Sequence, residues 1–357
     1  MMVFYLFRAT GFRHSECCAC LDQYLLRCAM QQLIEQWLVE NQGEIIEGDE
    51  LRLPAYAQQL AAVEAGQAYS LLSKYALLHI YGDDATTFLQ GQFSCDVAAI
   101  AAGGVTLGSY SNAKGRMQAT FILAGVAGQY YLVLRKDIAE SFRRRLSMFV
   151  LRAKVKIDAV TEQYALWLQQ DAQAAQPALI DVSEHGLQLS IGHGLMLRLV
   201  SQPQAMLWQP GLQAVGSMAT DYLFIRAGLG WVSQATFEEF VPQMLNLELL
   251  GGISFKKGCY PGQEIVARTQ YLGKVKRRLY RANVRGASVK EGAPIITAAT
   301  GDQVIGRVVL AAEMADGSVA CLLVLQHTAW EGQPVLQDNP DAVIEKQPLP
   351  YNLPDAD

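Results

Sequence analysis

The sequence has little charge, few cysteines and no long apolar run, and each shortage excludes a class of protein. Charged side chains make up 18% of the chain and the formal net charge is −5, which argues against a general nucleic-acid coat or a membrane-surface protein. Seven cysteines in 357 residues are too few for a disulfide scaffold. No stretch approaches the ~18 consecutive apolar residues of a membrane span. The hydrophobic share of 51% instead predicts a globular chain with two or three domains.

Common catalytic and metal motifs are also missing. The chain contains no GxxxxGK[ST] phosphate loop, no HExxH zinc motif and no GxSxG nucleophile elbow. Its five histidines are well separated in sequence, and the cluster Cys17, Cys18 and Cys20 has no partner pair at ligand spacing downstream. We therefore predict no metal site.

The N-terminal stretch bears on localisation. The apolar run Met2–Phe7 is too short for a secretion signal, and Arg8 and Arg13 follow it instead of preceding it. We therefore expect free thiols in the reducing environment of the cytoplasm. Helical apolar spacing begins at Met30, which raises the hypothesis that translation starts there. Mass spectrometry of the native N-terminus tests this hypothesis.

Apolar periodicity predicts alternating strands and helices in much of the chain. Period-two patterns predict strands at 75–82, 117–124 and 129–135, the last two as a hairpin. A helix is predicted over 136–151, with a capping box at its start and an apolar stripe on one face. The capping box pairs Asp137 with Glu140, and the stripe consists of Ile138, Phe142, Leu146 and Phe149.

Other segments are shorter and more ambiguous. Helices are predicted at 220–228 and 244–252, and the second ends on glycines, as helix C-termini often do. Residues 41–58 are interpreted as a polar connector. After Tyr280, short β-rich runs alternate with turn signals, which predicts a small antiparallel β-barrel.

The most informative stretch is KKGCYPGQEIVAR, from Lys256 to Arg268. Glycines and Pro261 prevent a helix from running through Cys259, and a helical pattern starts at Pro261 or Gly262. Cys259 is therefore predicted to lie just before a helix N-terminus. There, unpaired N–H groups and the neighbouring lysines favour the thiolate, so we expect a lowered thiol pKa. A small, buried and inert cysteine under a tight turn is the alternative.

A basic stretch adjoins this motif. Nine basic residues and one acidic residue, Glu264, lie between Lys256 and Arg285. In a net-acidic chain this concentration indicates an anion-facing surface. Because alternate residues of a strand point to opposite faces, only some of these charges can share one face. Solvated lysines on an edge strand are the alternative interpretation.

The segment 250–279, LGGISFKKGCYPGQEIVARTQYLGKVKRRL, resembles the signature of the YgfZ family. These are folate-binding proteins related to the aminomethyltransferase (T-protein) of the glycine cleavage system. The family core K-G-C-Y-x-G-Q-E is matched by Lys257, Gly258, Cys259, Tyr260, Gly262, Gln263 and Glu264. GDDATTFLQGQFSCDV (82–97) and NAKGRM (112–117) also resemble family segments, and the resemblance extends from about Leu71 to the end of the chain.

The resemblance implies an α+β fold in which two pseudo-symmetric α/β domains and a C-terminal antiparallel β-barrel surround a central folate opening. On this basis residues 1–45 are an unmatched N-terminal extension. The first α/β region covers 46–160, the second covers 161–280 and carries the KGCYxGQE motif, and the barrel covers 281–357. These bounds are expectations.

The resemblance also implies the roles of individual residues. Cys259 and Lys257 are expected to act in catalysis, and the expected folate-binding residues are Tyr75, Tyr222, Arg226, Tyr260, Gln263, Glu264 and Arg268. Tyr75 corresponds to one of the family's ring-stacking tryptophans; the other falls at Thr220, near Tyr222. One position departs from the family, because its R/N-I-E-A-G motif is F-I-R-A-G here. An arginine cannot accept hydrogen bonds from a pterin, so Arg226 holds a folate carboxylate or Glu264 makes the pterin contact.

Three functions follow. The resemblance implies a protein that binds tetrahydrofolate or a one-carbon derivative and assists iron–sulfur proteins such as tRNA-thiolating enzymes. The alternative is a folate-dependent one-carbon (aminomethyl) transferase, in which Cys259 is incidental. The third is direct tRNA binding by the basic stretch, which the net charge and the lack of interleaved stacking aromatics argue against. No membrane partner is expected.

Overall fold

The computed structural model of the chain describes residues 14–202, 211–271 and 275–354, with side chains from residue 24 onward. The fold in this part is mixed α/β and contains more sheet than helix. The cysteines at positions 17, 18 and 20 have side chains outside the described residues. The helices are α1 (His14–Glu40), α2 (Tyr56–Ala65), α3 (Ala85–Gln90), α4 (Lys136–Ser147), α5 (Ser217–Ala227) and α6 (Gln263–Tyr271).

The strands form three large sheets and one small β-ribbon. In chain order they are β1 (Glu44–Ile46), β2 (Glu50–Arg52), β3 (Ala68–Leu71), β4 (Tyr75–Tyr81), β5 (Gly103–Ser111), β6 (Met117–Val126), β7 (Gln129–Arg135), β8 (Lys156–Ala159), β9 (Ala165–Gln170), β10 (Pro177–Ser183), β11 (Gly186–Gly192), β12 (Leu195–Val200), β13 (Gln213–Ala214), β14 (Arg277–Arg285), β15 (Pro294–Ile296), β16 (Gly306–Glu313), β17 (Val319–Gln326), β18 (Val335–Leu336) and β19 (Val343–Gln347).

The first two large sheets share a topological plan. The first has the order β5-β6-β7-β4-β8 and the second β10-β11-β12-β9-β3-β13. In each, a three-stranded meander is flanked by the strand that precedes it in the chain. The second sheet also contains β3, which precedes β4 in the chain but pairs antiparallel with β9. The predicted strands at 75–82, 117–124 and 129–135 are confirmed, as is the hairpin of β6 and β7.

The third sheet has the order β18-β15-β16-β17-β14-β19, with antiparallel pairing throughout. Its two outer strands, β18 and β19, do not pair with each other in the part of the chain that the structure describes. The predicted antiparallel β-barrel is confirmed in part, as a curled half-barrel sheet.

One large apolar core joins the first two sheets to α5 and to one face of the third sheet. Helix α1 packs on the opposite face of the second sheet, where Met30 and Trp37 are buried. The Trp37 indole donates a hydrogen bond of 3.1 Å to the Tyr69 hydroxyl. Trp37 also meets the ring of Trp167 edge-on at 5.0 Å. Buried side chains from Met30 onward therefore hold α1 against the second sheet.

Helix α4 confirms the predicted helix but not its cap or its length. Asp137 does not form a capping box, because its carboxylate accepts a hydrogen bond from the backbone N–H of Gln234. Glu140 pairs instead with Arg143 and Arg144 on the exposed face. The helix ends at Ser147, so Phe149 lies beyond it and is exposed.

Two other local predictions are wrong. The segment 244–252 forms only a short 3₁₀ turn, Pro242–Leu245, because Asn246 and Gly251 adopt left-handed backbone angles that stop a helix. The connector predicted at 41–58 contains the ribbon β1–β2 and the first residues of α2. The predicted helix at 220–228 is confirmed by α5, which ends on Gly228 with φ of 67°.

Membrane-spanning helices and metal-binding clusters are both absent from the described ranges. None of the helices there has both the length and the apolar character needed to cross a membrane. No group of three histidine, cysteine, aspartate or glutamate side chains is placed to hold a metal ion in that same part of the chain.

Candidate functional site

The residues around Cys259 form a docked backbone segment, 252–262, which we call the thiol segment. The backbone N–H of Ser254 donates to the carbonyl of Ser94 at 2.8 Å, and the Ser94 hydroxyl donates to the carbonyl of Gly252 at 2.7 Å. The Lys257 ammonium donates to the carbonyls of Phe93 at 2.6 Å and Cys95 at 3.0 Å. A half-buried amine thus ties this segment to the family-like stretch 82–97.

The other end of the thiol segment meets the turn 112–116. Gly262 has φ of 79°, and a Cβ there would lie 2.6 Å from both the Asn112 carbonyl oxygen and the Gly115 Cα. Only glycine fits this position without strain. The Asn112 side chain closes the turn by accepting hydrogen bonds from the N–H groups of Lys114 and Arg116. Two motifs that are far apart in sequence are therefore in direct backbone contact.

Between these anchors the thiol itself is presented to solvent. Cys259 is exposed, whereas its neighbour Tyr260 is buried. The Lys257 ammonium lies 5.1 Å from the centre of the Tyr260 ring, within cation–π range. Burial lowers the pKa of Lys257 and raises that of Tyr260 to about 12. The predicted helix after Cys259 is confirmed by α6, which begins at Gln263.

The remaining predicted residues of the motif lie on α6. Gln263 is half-buried, and Glu264 and Arg268 are exposed. The helix is attached by the buried side chain of Val266, whose carbonyl accepts a hydrogen bond of 2.7 Å from the Gln243 side chain. Glu264 and Arg268 are therefore open to solvent, whereas Gln263 is only partly so.

Tyr222 and Arg226 lie on α5, where they meet Glu64 of α2; we call these three residues the charge cluster. The Tyr222 hydroxyl donates to one Glu64 oxygen, and Arg226 Nη1 lies 2.9 Å from the other. Arg226 also donates to the Val63 carbonyl at 2.7 Å. Burial, together with the hydrogen bond to Glu64, raises the pKa of Tyr222 to about 12.

Sequence reasoning missed Glu64. A signal was present, because an arginine at a half-buried position calls for a carboxylate nearby. The single sequence could not show which carboxylate this was, since Glu64 lies in a helix that precedes Arg226 by more than 150 residues. The partner could be found only from the packing of α2 against α5.

Beside the charge cluster lies a cavity of about 340 Å³, which we call the α2 cavity. Glu64 and Tyr222 form part of its wall, and Arg281 and Asn283 of β14 form another part. The Nε of Arg281 is buried and has no hydrogen-bond partner among the described residues. The turn 314–318 between β16 and β17 closes the far side.

Tyr75 is buried and does not join either group. Its ring contacts Phe224 at 5.6 Å and Trp231 at 5.0 Å, and the Arg135 guanidinium lies 5.9 Å from its centre. Burial raises its pKa well above the ordinary value. Tyr75 also forms part of the lining of a cavity of about 350 Å³ beneath α1.

The gap between the first sheet and the segment after α5 is small. It is lined by residues of β5 and β6, Trp231 and Leu250, and its volume is about 10 Å³. Such a space holds one water-sized group and no pterin ring. The predicted site residues thus lie in three places: the surface around the thiol segment, the charge cluster, and the buried position of Tyr75.

The basic stretch 256–285 does not form one continuous patch. Arg278 turns inward and pairs with Glu248 at 2.6 Å, and Arg285 pairs with Glu345 at 3.4 Å on β19. Arg277 donates to the Val304 carbonyl, and burial lowers its pKa. Lys274 lies outside the described residues. The alternation expected of a strand therefore separates these charges.

Comparison with known proteins places these features in a family context. No family model matches the chain. A protein of Vibrio vulnificus named tRNA-modifying protein YgfZ is 32% identical over 313 residues, covering 81% of this chain and 93% of the relative. One of the same name from Photobacterium profundum is 29% identical over 300 residues, covering 80% and 91%. An uncharacterised protein of Haemophilus influenzae is 29% identical over 285 residues.

The fold also resembles a solved structure. The chain superposes on the glycine cleavage system aminomethyltransferase T of Bartonella henselae with a TM-score of 0.69. The match covers 88% of this chain and 95% of that protein, at 13% sequence identity. At this identity the likeness concerns the fold.

Proposed function

The chain belongs to the YgfZ family, and from this premise we propose that it binds a reduced folate in the cytoplasm and assists iron–sulfur enzymes, among them enzymes that thiolate tRNA. The names of the relatives refer to tRNA modification. The observation that carries the proposal is the exposed thiol of Cys259 on a segment that is fixed at both ends. A packing role for the sulfur would require burial.

The thiol segment supports a chemical role for Cys259. The Lys257 ammonium donates hydrogen bonds to two backbone carbonyls, so its role is to position the segment. Cys259 is then the group that contacts a partner protein. Gly262 allows the backbone to approach the turn 112–116 closely, which holds the thiol at the surface. A thiol held in this way can contact a protein client without a conformational change.

The α2 cavity supports folate binding. A pterin presents N–H and amino donors, which need an acceptor, and Glu64 offers a carboxylate there. Arg281 and the adjacent Arg226 offer guanidinium groups to the carboxylates of the folate glutamate. The volume of about 340 Å³ is in the range of small-molecule sites. Tetrahydrofolate or a one-carbon derivative, when bound, would supply a carrier for a one-carbon unit.

A titration with tetrahydrofolate tests the folate half of the proposal. We expect saturable quenching of Tyr and Trp fluorescence by the parent and at least about tenfold weaker binding by Glu64→Gln, because the acceptor for the pterin is weakened. Glu162→Gln, outside the lining of the α2 cavity, is the control and should bind as the parent does. Absence of saturable quenching in the parent would overturn folate binding.

A rescue experiment tests the thiol. In a bacterial strain that lacks its own family member, Cys259→Ala should leave tRNA thiolation at the level of the empty vector, and Cys28→Ala should restore it. Thiolated nucleosides are measured by mass spectrometry of digested tRNA. If Cys259→Ala restores thiolation as well as the parent does, the thiol has no part in the function.

A further inference from the structure

A cavity under α1 is left unused by the proposed function, although Tyr75 forms part of its lining. It has a volume of about 350 Å³ and shares no lining residue with the α2 cavity. Its apolar wall comes from one stripe of α1 and from the edge where the first two sheets meet. That wall includes Met30, Ile34, Leu38, Leu72, Tyr164 and Leu166. We call it the α1 cavity.

The rim of the α1 cavity is polar and carries a net negative charge. Arg27 pairs with Glu162 at 2.9 Å, and Lys136 pairs with Asp49 at 2.5 Å. The third carboxylate of the lining, Glu35, has no ion-pair partner in the described part of the chain and accepts a hydrogen bond from Gln31. The rim therefore holds two cations, both neutralised, against three carboxylates.

We propose that the α1 cavity binds a small amphiphile with an apolar body and a single amine. Volume and apolar lining suit a compact hydrocarbon or aromatic body, which gains free energy as it leaves water. Glu35 provides the charge that an ammonium group needs, whereas a carboxylate at the same rim meets like charge. Folate, an anion, is disfavoured here by the same argument. This inference is independent of the proposed function.

Displacement of a neutral fluorescent probe, N-phenyl-1-naphthylamine, tests the proposal on the full chain. We expect saturable binding of the probe, and displacement by decylamine at concentrations at least about tenfold lower than by decanoate, with decanol between them. Glu35→Gln should retain the probe and lose the preference for the amine. Equal displacement by decylamine and decanoate would overturn the charge argument.

Filling the cavity locates the binding. Ile34→Trp places an indole in the space and should weaken probe binding by at least about tenfold. Val39→Trp, on the exposed side of α1, is the matched control and should bind as the parent does. If Ile34→Trp fails to fold by circular dichroism, Leu38→Trp serves the same purpose. Undiminished probe binding by a folded cavity-filling variant would show that the probe does not bind in the α1 cavity. Tetrahydrofolate should bind to that variant as it does to the parent, because the α2 cavity is unchanged.

Discussion

The thiol segment and the charge cluster are held by different kinds of contact. In the thiol segment, backbone carbonyls and a glycine fix the chain, and the side chain of Cys259 is exposed. In the charge cluster, the side chains themselves make the contact, and Glu64 links two helices beside a cavity. The geometry of the thiol segment is set by backbone contacts, so a change there should cost much stability. The geometry of the charge cluster depends on charged side chains, which substitutions can exchange at a smaller cost.

The strongest test of this difference is Gly262→Ala. The added methyl group would lie 2.6 Å from the Asn112 oxygen, on a backbone with positive φ, so the thiol segment must separate from the turn 112–116. We expect a loss of about 2–4 kcal/mol in the free energy of unfolding. Urea denaturation followed by circular dichroism measures this.

Gly258→Ala provides the matched control for that experiment. A Cβ at Gly258 meets no atom within 4 Å, so this variant should unfold within about 0.5 kcal/mol of the parent. Equal stability of the two variants would show that the contact between Gly262 and the turn does not fix the segment.

The next effect concerns the amine that anchors the thiol. Lys257→Met keeps the length of the side chain but leaves the carbonyls of Phe93 and Cys95 without their donor, which costs about 1–3 kcal/mol. The rate at which a disulfide reagent modifies Cys259 should also change, because the segment loses its attachment. Lys256→Met, at an exposed neighbouring position, should leave the free energy of unfolding unchanged. A stable Lys257→Met with unchanged thiol reactivity would remove the anchoring role.

The two regions also differ in what the sequence could predict. The thiol segment is contiguous, so its turn, its glycines and the start of α6 follow from local preferences. The charge cluster joins α2 to α5, and no local pattern links Glu64 to Arg226. For the same reason the pairing of β3 with β9 was not foreseen, since periodicity identifies a strand but not its partner. The capping box predicted for α4 is wrong because the Asp137 carboxylate accepts a hydrogen bond from the backbone N–H of Gln234, which is distant in sequence.

Exchanging the charges of Glu64 and Arg226 tests whether their ion pair holds the charge cluster together. Arg226→Glu alone places two carboxylates together and should destabilise the fold, and Glu64→Arg alone should do the same with two guanidinium groups. The double variant restores an opposite pair in reverse order. We expect a coupling energy of about 0.3–1 kcal/mol, as for other partly exposed pairs. A coupling of zero would mean that the cluster is held by Tyr222 and the Val63 carbonyl alone.

The smallest expected effect is a dependence of stability on pH at Lys257. Burial lowers the pKa of this ammonium group in the folded chain, so the unfolded chain binds more protons at pH values between the folded value and the ordinary lysine value of about 10.4. The free energy of unfolding of the parent therefore rises with pH in that window, and Lys257→Met lacks this rise. The difference between parent and variant should grow from pH 7 to pH 9.5, as measured by urea denaturation. Cys95 does not disturb this result, because burial raises its pKa to about 12 in the parent and loss of the nearby ammonium can only raise it further. A difference that shrinks as the pH rises would mean that the amine is stabilised in its charged form by the two carbonyls, and that the thiol segment is held by charge as the cluster on α5 is.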